Sequence, residues 1–412
     1  MQISINANRC EPSPMRKFHP YAVEAEKKGK KIYHLNIGQP DLPTPTAYYD
    51  AVRNFDRKTL AYAESPGMPV LIDAVRGYYH KLGVDLAPND VLITTGGSEA
   101  LLMTCLSILD PYTEVIIPEP YYPNYTTFVH AAGGVIRALP TNPWEGYRYA
   151  KRERIESLIT KNTRAILITN PGNPTGVVLD QKEMRMIADI AKERDLFLIC
   201  DEVYREFCYD DKFGVPTMAH FRDIDENLVI IDSASKRFSA CGARVGCVVT
   251  RNKELQAALL KFCQSRLSVA TIDQIGAAAL YTVDPEFFRR SKEEYRRRRD
   301  TVISKLRQIP GVVVEEPMGA FYVMASLPVD DAAKLGWPVV ESDDYETIAG
   351  WLMDMLDYVP KPGDELMVGG YSFRIEQMRR SRISTIKVER LCVCEAEGGD
   401  KAAAEEDAHA SV

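Results

Sequence analysis

The 412-residue chain contains no uninterrupted apolar run long enough to cross a bilayer as a helix, so a helical membrane protein is not expected. Met1 to Met15 is polar and carries no apolar h-region; no secretory signal is expected, and the cytosol is the expected compartment. Nine cysteines, an odd number without a CxxC pair, supply neither a disulfide framework nor a zinc site. Cys392 and Cys394 are only a weak hint of metal, and none is expected. Positive charge is not in excess, with 51 Lys and Arg against 58 Asp and Glu and a net charge of -7, which speaks against nucleic-acid binding. Internal repeats are absent. What is present is 45% hydrophobic and 26% charged, ordinary for a soluble globular enzyme. The length suffices for one large core and a smaller second domain.

From about Asp90 to Val249 short β-branched runs alternate with amphipathic stretches. Val91 to Thr95, Val115 to Pro118, Ala165 to Thr169, Leu196 to Cys200 and Leu228 to Asp232 read as strands, with helical patterns from Glu99 and from Gln181. Strands separated by helices predict an α/β fold whose mostly parallel sheet is covered on both faces and gathers ligands at its carboxyl ends. A helix is expected from Lys253 and another from Glu286 to Ile309, where Arg296 to Arg299 reads as a solvated face. An apolar strand at Gly319 to Ala325, a helix near Tyr345 to Leu356 and a tail follow, as a second α+β domain. The tail from Glu395, rich in Ala, Gly and acids, is expected to be partly disordered.

Chemistry concentrates at the predicted strand ends. Lys236 closes the run Asp232, Ser233, Ala234, Ser235, Lys236, with Arg244 eight residues on. A lysine attacks carbonyls only where its surroundings lower its pKa, and the aldehyde cofactor pyridoxal phosphate (PLP) needs such a lysine together with a phosphate site. Two hydroxyls and a guanidinium can form that site, although alone they read equally well as surface residues after a strand. Thr95, Gly96, Gly97, Ser98 and Glu99 lie where a strand gives way to a helix. Glycines there admit an anion, and Ser98 and the first amides can bind it, while a plain Gly-rich turn is the commoner case in isolation. Asn170 to Gly176 (AsnProGlyAsnProThrGly) is a rigid loop able to aim the Asn173 amide inward. Asp201, at the next strand end, can ion-pair a protonated pyridine nitrogen, with Tyr204 donating to the ring's phenolic oxygen. The plainer alternative is an N-cap.

In their order and spacing these segments resemble the fold type I PLP-dependent aminotransferases of the aspartate aminotransferase class, from about Asn36 to Phe321. The match comprises AsnIleGlyGlnProAsp at Asn36 to Asp41, GlyGlySerGlu at Gly96 to Glu99, AsnProGlyAsnProThrGly at Asn170 to Gly176, AspGluValTyr at Asp201 to Tyr204, SerAlaSerLys at Ser233 to Lys236, and Arg244. The resemblance implies a large PLP-binding domain over 46–285 with a seven-stranded-type sheet. It also implies a small domain from 1–45 and 286–394, with 395–412 as an acidic tail. It implies transamination between an L-amino acid and a 2-oxo acid, in which Lys236 forms the Schiff base with the cofactor and then shuttles the proton. Asp201 would hold the pyridine nitrogen, Asn173 and Tyr204 the phenolic oxygen, and Gly97, Ser98, Ser233, Ser235 and Arg244 the phosphate, beside Glu99. Tyr122 would stack on the ring, Gly38 would lie beside the substrate carboxylate, and Tyr62 would reach the phosphate of a neighbouring subunit in a homodimer.

For the arginine that grips the substrate carboxylate, two Arg-Ile pairs compete, at Arg374 and Arg382. Arg382 is preferred because Ile383 to Ile386 resembles the strand that follows it in the family, though the usual ProGly and PheTyr loop before it is replaced by Val368 to Phe373. Aspartate with 2-oxoglutarate is the first expectation for substrate, with alanine, methionine or aromatic amino acids as alternatives. Some members of the class bind a distal carboxylate through a lysine at the position of Ser98, and serine cannot do this. PLP-dependent lyases and synthases acting at the beta or gamma carbon share the fold. A PLP-binding transcription regulator does not fit, since only about thirty residues precede the AsnIleGly motif, too few for a helix-turn-helix domain.

Overall fold

The computed structural model describes residues 1–10, 12–13, 16, 18–309, 312–326, 337–338, 348–379, 382–391 and 408–411. The chain divides into two units, one of Met1–Leu306 with Val314–Met324 and one of Arg307–Val313 with Ala325–Val412. The N-terminal 45 residues and the helix after Glu286, which the sequence assigns to a small domain, thus group with the large unit.

A seven-stranded sheet organises the first unit. Its strands are β1 (Val91–Thr94), β2 (Glu114–Pro118), β3 (Val135–Leu139), β4 (Thr163–Thr169), β5 (Phe197–Asp201), β6 (Leu228–Ser233) and β7 (Gly246–Val249), in spatial order β1-β7-β6-β5-β4-β2-β3. β3, β2, β4, β5 and β6 run parallel, and β7 is antiparallel to both β6 and β1. Successive side chains of a strand face opposite sides, and the central strands are apolar on both. Leu198, Cys200 and Ile230 enter one core, while Ile199, Val229 and Ile231 enter the core on the other face. All six residues of β6 are buried; each large aliphatic among them contributes about 2 kcal/mol.

Besides helices at Ile5–Arg9, His19–Lys27 and Arg152–Glu156, the unit carries α1 (Thr46–Arg53), α2 (Pro69–Lys81), α3 (Gly96–Ile108), α4 (Asn124–Ala131), α5 (Gln181–Glu193), α6 (Ala234–Arg237), α7 (Lys253–Arg266), α8 (Thr271–Leu280) and α9 (Glu286–Leu306). α5 shows why such segments become helices. Asp180 accepts from the Lys182 and Glu183 amides and Glu183 reaches back to the Asp180 amide, a reciprocal cap. Met184, Ile187, Ala188 and Ala191 then bury one face. No helix among the described residues is long and apolar enough to cross a membrane.

The apolar stretch at Gly319 to Ala325 does not form the expected strand. Only Ala325–Ser326 is extended in a ladder, and Ala320 has a left-handed backbone (φ 56°). Phe321 instead stacks on Tyr295 of α9 with ring centroids 4.9 Å apart and packs edge-on against Tyr204 and Phe207. Aromatic burial outweighs strand pairing here.

The second unit carries an antiparallel sheet of β8 (Glu365–Val368), β9 (Tyr371–Arg379), β10 (Arg382–Arg390) and β11 (Ala408–Ser411), in that order. Helix α10 (Ile348–Leu356) sends Trp351 and Leu352 into a cluster with Phe373, Ile375, Ile386 and Val388. The part of the acidic tail that is described, β11, is paired with β10.

Candidate active site

The site assembles at the carboxyl edge of the parallel strands. Because β7 runs against β6 and pairs Gly246 with Ser233, the turn after Lys236 returns Arg244 to the end of β6. β1 pairs Thr94 with the same Gly246, bringing the start of α3 alongside. Glycine is required at this crossing. A Cβ on Gly96 (φ +73°) would lie 2.5 Å from Arg244 Nη2, and one on Gly246 would lie 2.6 Å from the Gly96 carbonyl carbon. Arg244 is anchored by Nη1 donating to the Cys241 carbonyl at 3.2 Å and Nη2 to the Thr95 carbonyl at 3.5 Å. The Ser233 and Ser235 hydroxyls lie 2.8 Å apart. With Gly97 and Ser98 opening α3, hydroxyls, a guanidinium and helix-start amides form an anion cradle.

Asp201 ends β5 and is buried rather than capping a helix. Tyr125 of α4 donates to its Oδ2 at 2.7 Å and the Val203 amide to Oδ1 at 3.3 Å. Burial pushes its pKa up to about 6 despite these donors, with Asp232 raising it further and Lys236 lowering it. Tyr204 is buried, its hydroxyl 2.5 Å from that of Tyr322, and burial holds it well above the ordinary phenol range. Asn173 is half-buried. Asn170 is committed to the loop, its Oδ1 accepting from the Leu179 amide at 3.1 Å, so only one of the two asparagines is open to a ligand role. Tyr122 is half-buried and accepts from Asn124 Nδ2 at 2.7 Å.

Lys236 lies in the single turn of α6. Its Nζ donates to the Gly38 carbonyl at 2.5 Å, sits 3.9 Å from Cys241 Sγ and 5.9 Å from the centre of the Tyr204 ring. Burial lowers its pKa, the condition an amine needs to act as a nucleophile or base near neutrality. Gly38 is packed so closely against Tyr322 that any side chain would collide with the Tyr322 hydroxyl.

The Glu99 carboxylate accepts from the Thr95 amide at 2.6 Å and pairs with Arg266 at 2.9 Å, so it braces the start of α3. Tyr62 is 81% exposed. Arg374 is exposed on β9, opposite Lys387. The backbone of Arg382 begins β10, while its side chain, like Cys392 and Cys394, lies outside the described residues. No cluster among the described residues could hold a metal ion. Tyr125 and Tyr322 were not singled out by the sequence. A tyrosine among several near a turn carries no local signal of which carboxylate or phenol it will meet.

These groups fit PLP. The cradle offers only donors and positive charge to a phosphate, Asp201 offers a buried carboxylate to a protonated ring nitrogen, and Lys236 offers an amine of lowered pKa.

The sequence profile described as "Aminotransferase class I and II" matches residues 30–343, and one described as "Transporter associated domain" matches residues 314–391. A probable aspartate/prephenate aminotransferase of Aquifex aeolicus is 31% identical over 347 residues, covering 83% of this chain and 87% of its own. Among solved structures, an aspartate aminotransferase of Thermus thermophilus with maleate superposes with a TM-score of 0.73 at 31% identity, over 79% of this chain and 85% of its own. An alanine aminotransferase of Pyrococcus furiosus reaches 0.75 at 29% identity, over 86% and 88%. A profile spanning most of the chain, and relatives that share the seven-stranded sheet, place this protein in the class I and II aminotransferases, enzymes that depend on PLP.

Proposed function

We propose that Lys236 carries the cofactor and moves the proton of a transamination between an L-amino acid and a 2-oxo acid, with aspartate and 2-oxoglutarate as the first pair. The observation that carries this reading is an amine of depressed pKa held at the strand edge between the Gly38 carbonyl and the Tyr204 ring. PLP, when bound, supplies the electron sink that makes the alpha proton of an amino acid removable. Ser233, Ser235, Arg244, Gly97 and Ser98 would hold its phosphate. Asp201, oriented by Tyr125, would hold the ring nitrogen in its charged form. Asn173 and Tyr204 would donate to the phenolic oxygen, and Tyr122 would cover the ring. Lys236, its pKa lowered by burial, takes the alpha proton and returns it. Lys236→Ala should abolish turnover and the visible absorbance of the purified enzyme; retention of both would overturn the assignment.

Substrate choice rests on the relatives. Those named aspartate/prephenate or aspartate aminotransferase favour a dicarboxylate donor, while the alanine aminotransferase structure favours a small one. Rates with aspartate, alanine, methionine and phenylalanine as donors to 2-oxoglutarate separate them; a preference for alanine would displace aspartate. Arg382 is proposed for the substrate carboxylate by resemblance alone, and its strand falls within the stretch matched by the transporter-associated profile. Arg382→Ala measures this directly. A rise of about 100-fold in donor KM, the equivalent of ~3 kcal/mol for a charged hydrogen-bonded pair, assigns the role; an unchanged KM removes it.

A homodimer with shared sites completes the reading. Tyr62, Leu35 and Ile37 are each exposed, apolar surface that a second copy would cover. If Tyr62 serves the neighbouring site, mixing inactive Lys236→Ala subunits with Tyr62→Ala subunits regenerates activity in one of the two hybrid sites. The free cysteines among the described residues favour a reducing compartment such as the cytosol, which cell fractionation tests.

A further inference from the structure

Beneath the site lies a cluster of four charges with almost no exposure. Arg205 Nη2 is 2.8 Å from Glu202 Oε2 and 3.4 Å from Asp232 Oδ2, and Arg237 Nη2 donates to Asp232 Oδ1; all four side chains are at most 2% exposed. Tyr79 joins them, accepting from Arg205 at 2.6 Å and donating to Asp232 at 3.2 Å. Arg237 lies over the Tyr78 ring at 4.1 Å and Arg205 over Tyr79 at 4.7 Å.

The sequence position of these charges is the telling feature. Glu202 follows Asp201, Arg205 follows Tyr204, Asp232 precedes Ser233, and Arg237 follows Lys236. Each charge is the chain neighbour of a residue assigned to the cofactor, and together they tie the end of β5 to the end of β6. Stability alone is a poor reason for such a cluster. Buried ion pairs are commonly no more stabilising than apolar groups of the same volume, and here Arg205 Nη1 and Arg237 Nε and Nη1 have no hydrogen-bond partner. A rigid, directional arrangement is what charges provide and an apolar core does not.

We propose that the Glu202, Arg205, Asp232 and Arg237 network is the positioning device of the site, holding Lys236 and Ser233 in register with Asp201 and Tyr204. The network also acts electrostatically. Asp232 raises the pKa of Asp201, while Arg205 and Arg237 keep Asp232 itself below its ordinary value against the effect of burial. The neighbouring Tyr78, Tyr79, Tyr281 and Cys247 are all pushed upward by burial, and Glu206 accepts from Tyr78. Burial raises the pKa of Glu202, and Arg205 opposes that shift.

The proposal rests on Lys236 carrying the cofactor, so the wild-type enzyme must first show a visible band that Lys236→Ala loses; if it does not, that reading fails and not this one. The double variant Asp232→Asn, Arg237→Met removes an ion pair without leaving an unpaired buried charge. With melting temperature and circular dichroism reporting a folded protein, the pH midpoint of the cofactor's visible band should move by about one unit and cofactor dissociation should quicken about tenfold. Both at wild-type values in the folded double variant would overturn the proposal. Arg237→Lys keeps the charge but loses the planar fork. Its midpoint should move in the same direction by less, and a wild-type midpoint there would overturn the proposal whether or not the double variant folds.

Discussion

Burial pushes the Asp201 carboxyl up and the Lys236 amine down, each toward its neutral form, while the attraction between them opposes both shifts. Asp201 has its pKa raised from 3.8 to about 6, chiefly by burial. Between about pH 4 and pH 6 the folded protein then binds more protons than the unfolded chain, so this group's contribution to stability falls as pH rises through that window, by on the order of 3 kcal/mol in total. A cationic ring nitrogen against Asp201 offsets that cost where the carboxylate is charged. The gain in melting temperature on adding PLP to the apoenzyme should accordingly be larger at about pH 7.5 than at about pH 5. Asp201→Asn should lose most of this pH dependence, and an equal gain at both pH values in the wild type would place the ring nitrogen elsewhere. The place of Asp201 at a strand end was legible because a short apolar run leads directly into the AspGluValTyr segment. Tyr125, which orients it, lies 76 residues away, and Tyr322, which meets Tyr204, lies 118 away. Contacts of that range are created by the fold, and no local pattern encodes them.

At the level of elements, the five strands named from the sequence and the helices expected from Glu99, Gln181, Lys253 and Glu286 agree with the observed spans to within about three residues, because short β-branched runs and helical periodicity are local properties, whereas β3 and β7 were not singled out by the sequence. Two substitutions separate element stability from site geometry. Asp180→Ala removes the cap of α5 and should cost about 1 kcal/mol by denaturant titration, leaving PLP affinity unchanged. Gly96→Ala should do the reverse in emphasis, since its Cβ would press on Arg244: a PLP dissociation constant about tenfold higher or more, read by equilibrium dialysis. Unchanged affinity in Gly96→Ala would remove Arg244 from the phosphate site. The stretch Gly319 to Ala325 shows the limit of local reading. Its apolar content is that of a strand, yet its aromatics are taken up by Tyr204, Phe207 and Tyr295, partners that lie far away in the chain.

Over the whole molecule, every described residue assigned to the cofactor belongs to the first unit, which ends at Met324, while the sheet β8 to β11 belongs to the second. A chain ending at Met324 should keep the visible absorbance of the bound cofactor after gel filtration; a folded but colourless product would assign cofactor retention to residues beyond it. The unusual Val368 to Phe373 segment has its account in this division: it forms the end of β8, a Gly369–Gly370 turn with both φ positive, and the start of β9, within the transporter-associated match. By itself the sequence determined the α/β class, the ends of five strands and the family with its cofactor, and it singled out the lysine proposed to carry that cofactor, because each depends on short contiguous runs whose chemistry and periodicity are local. The tertiary structure alone decided that Glu99 braces a helix, that Tyr125 and Tyr322 enter the site, and that four buried charges stand behind it. Burial and charge pairing between distant strand ends exist only once the sheet has brought those ends together.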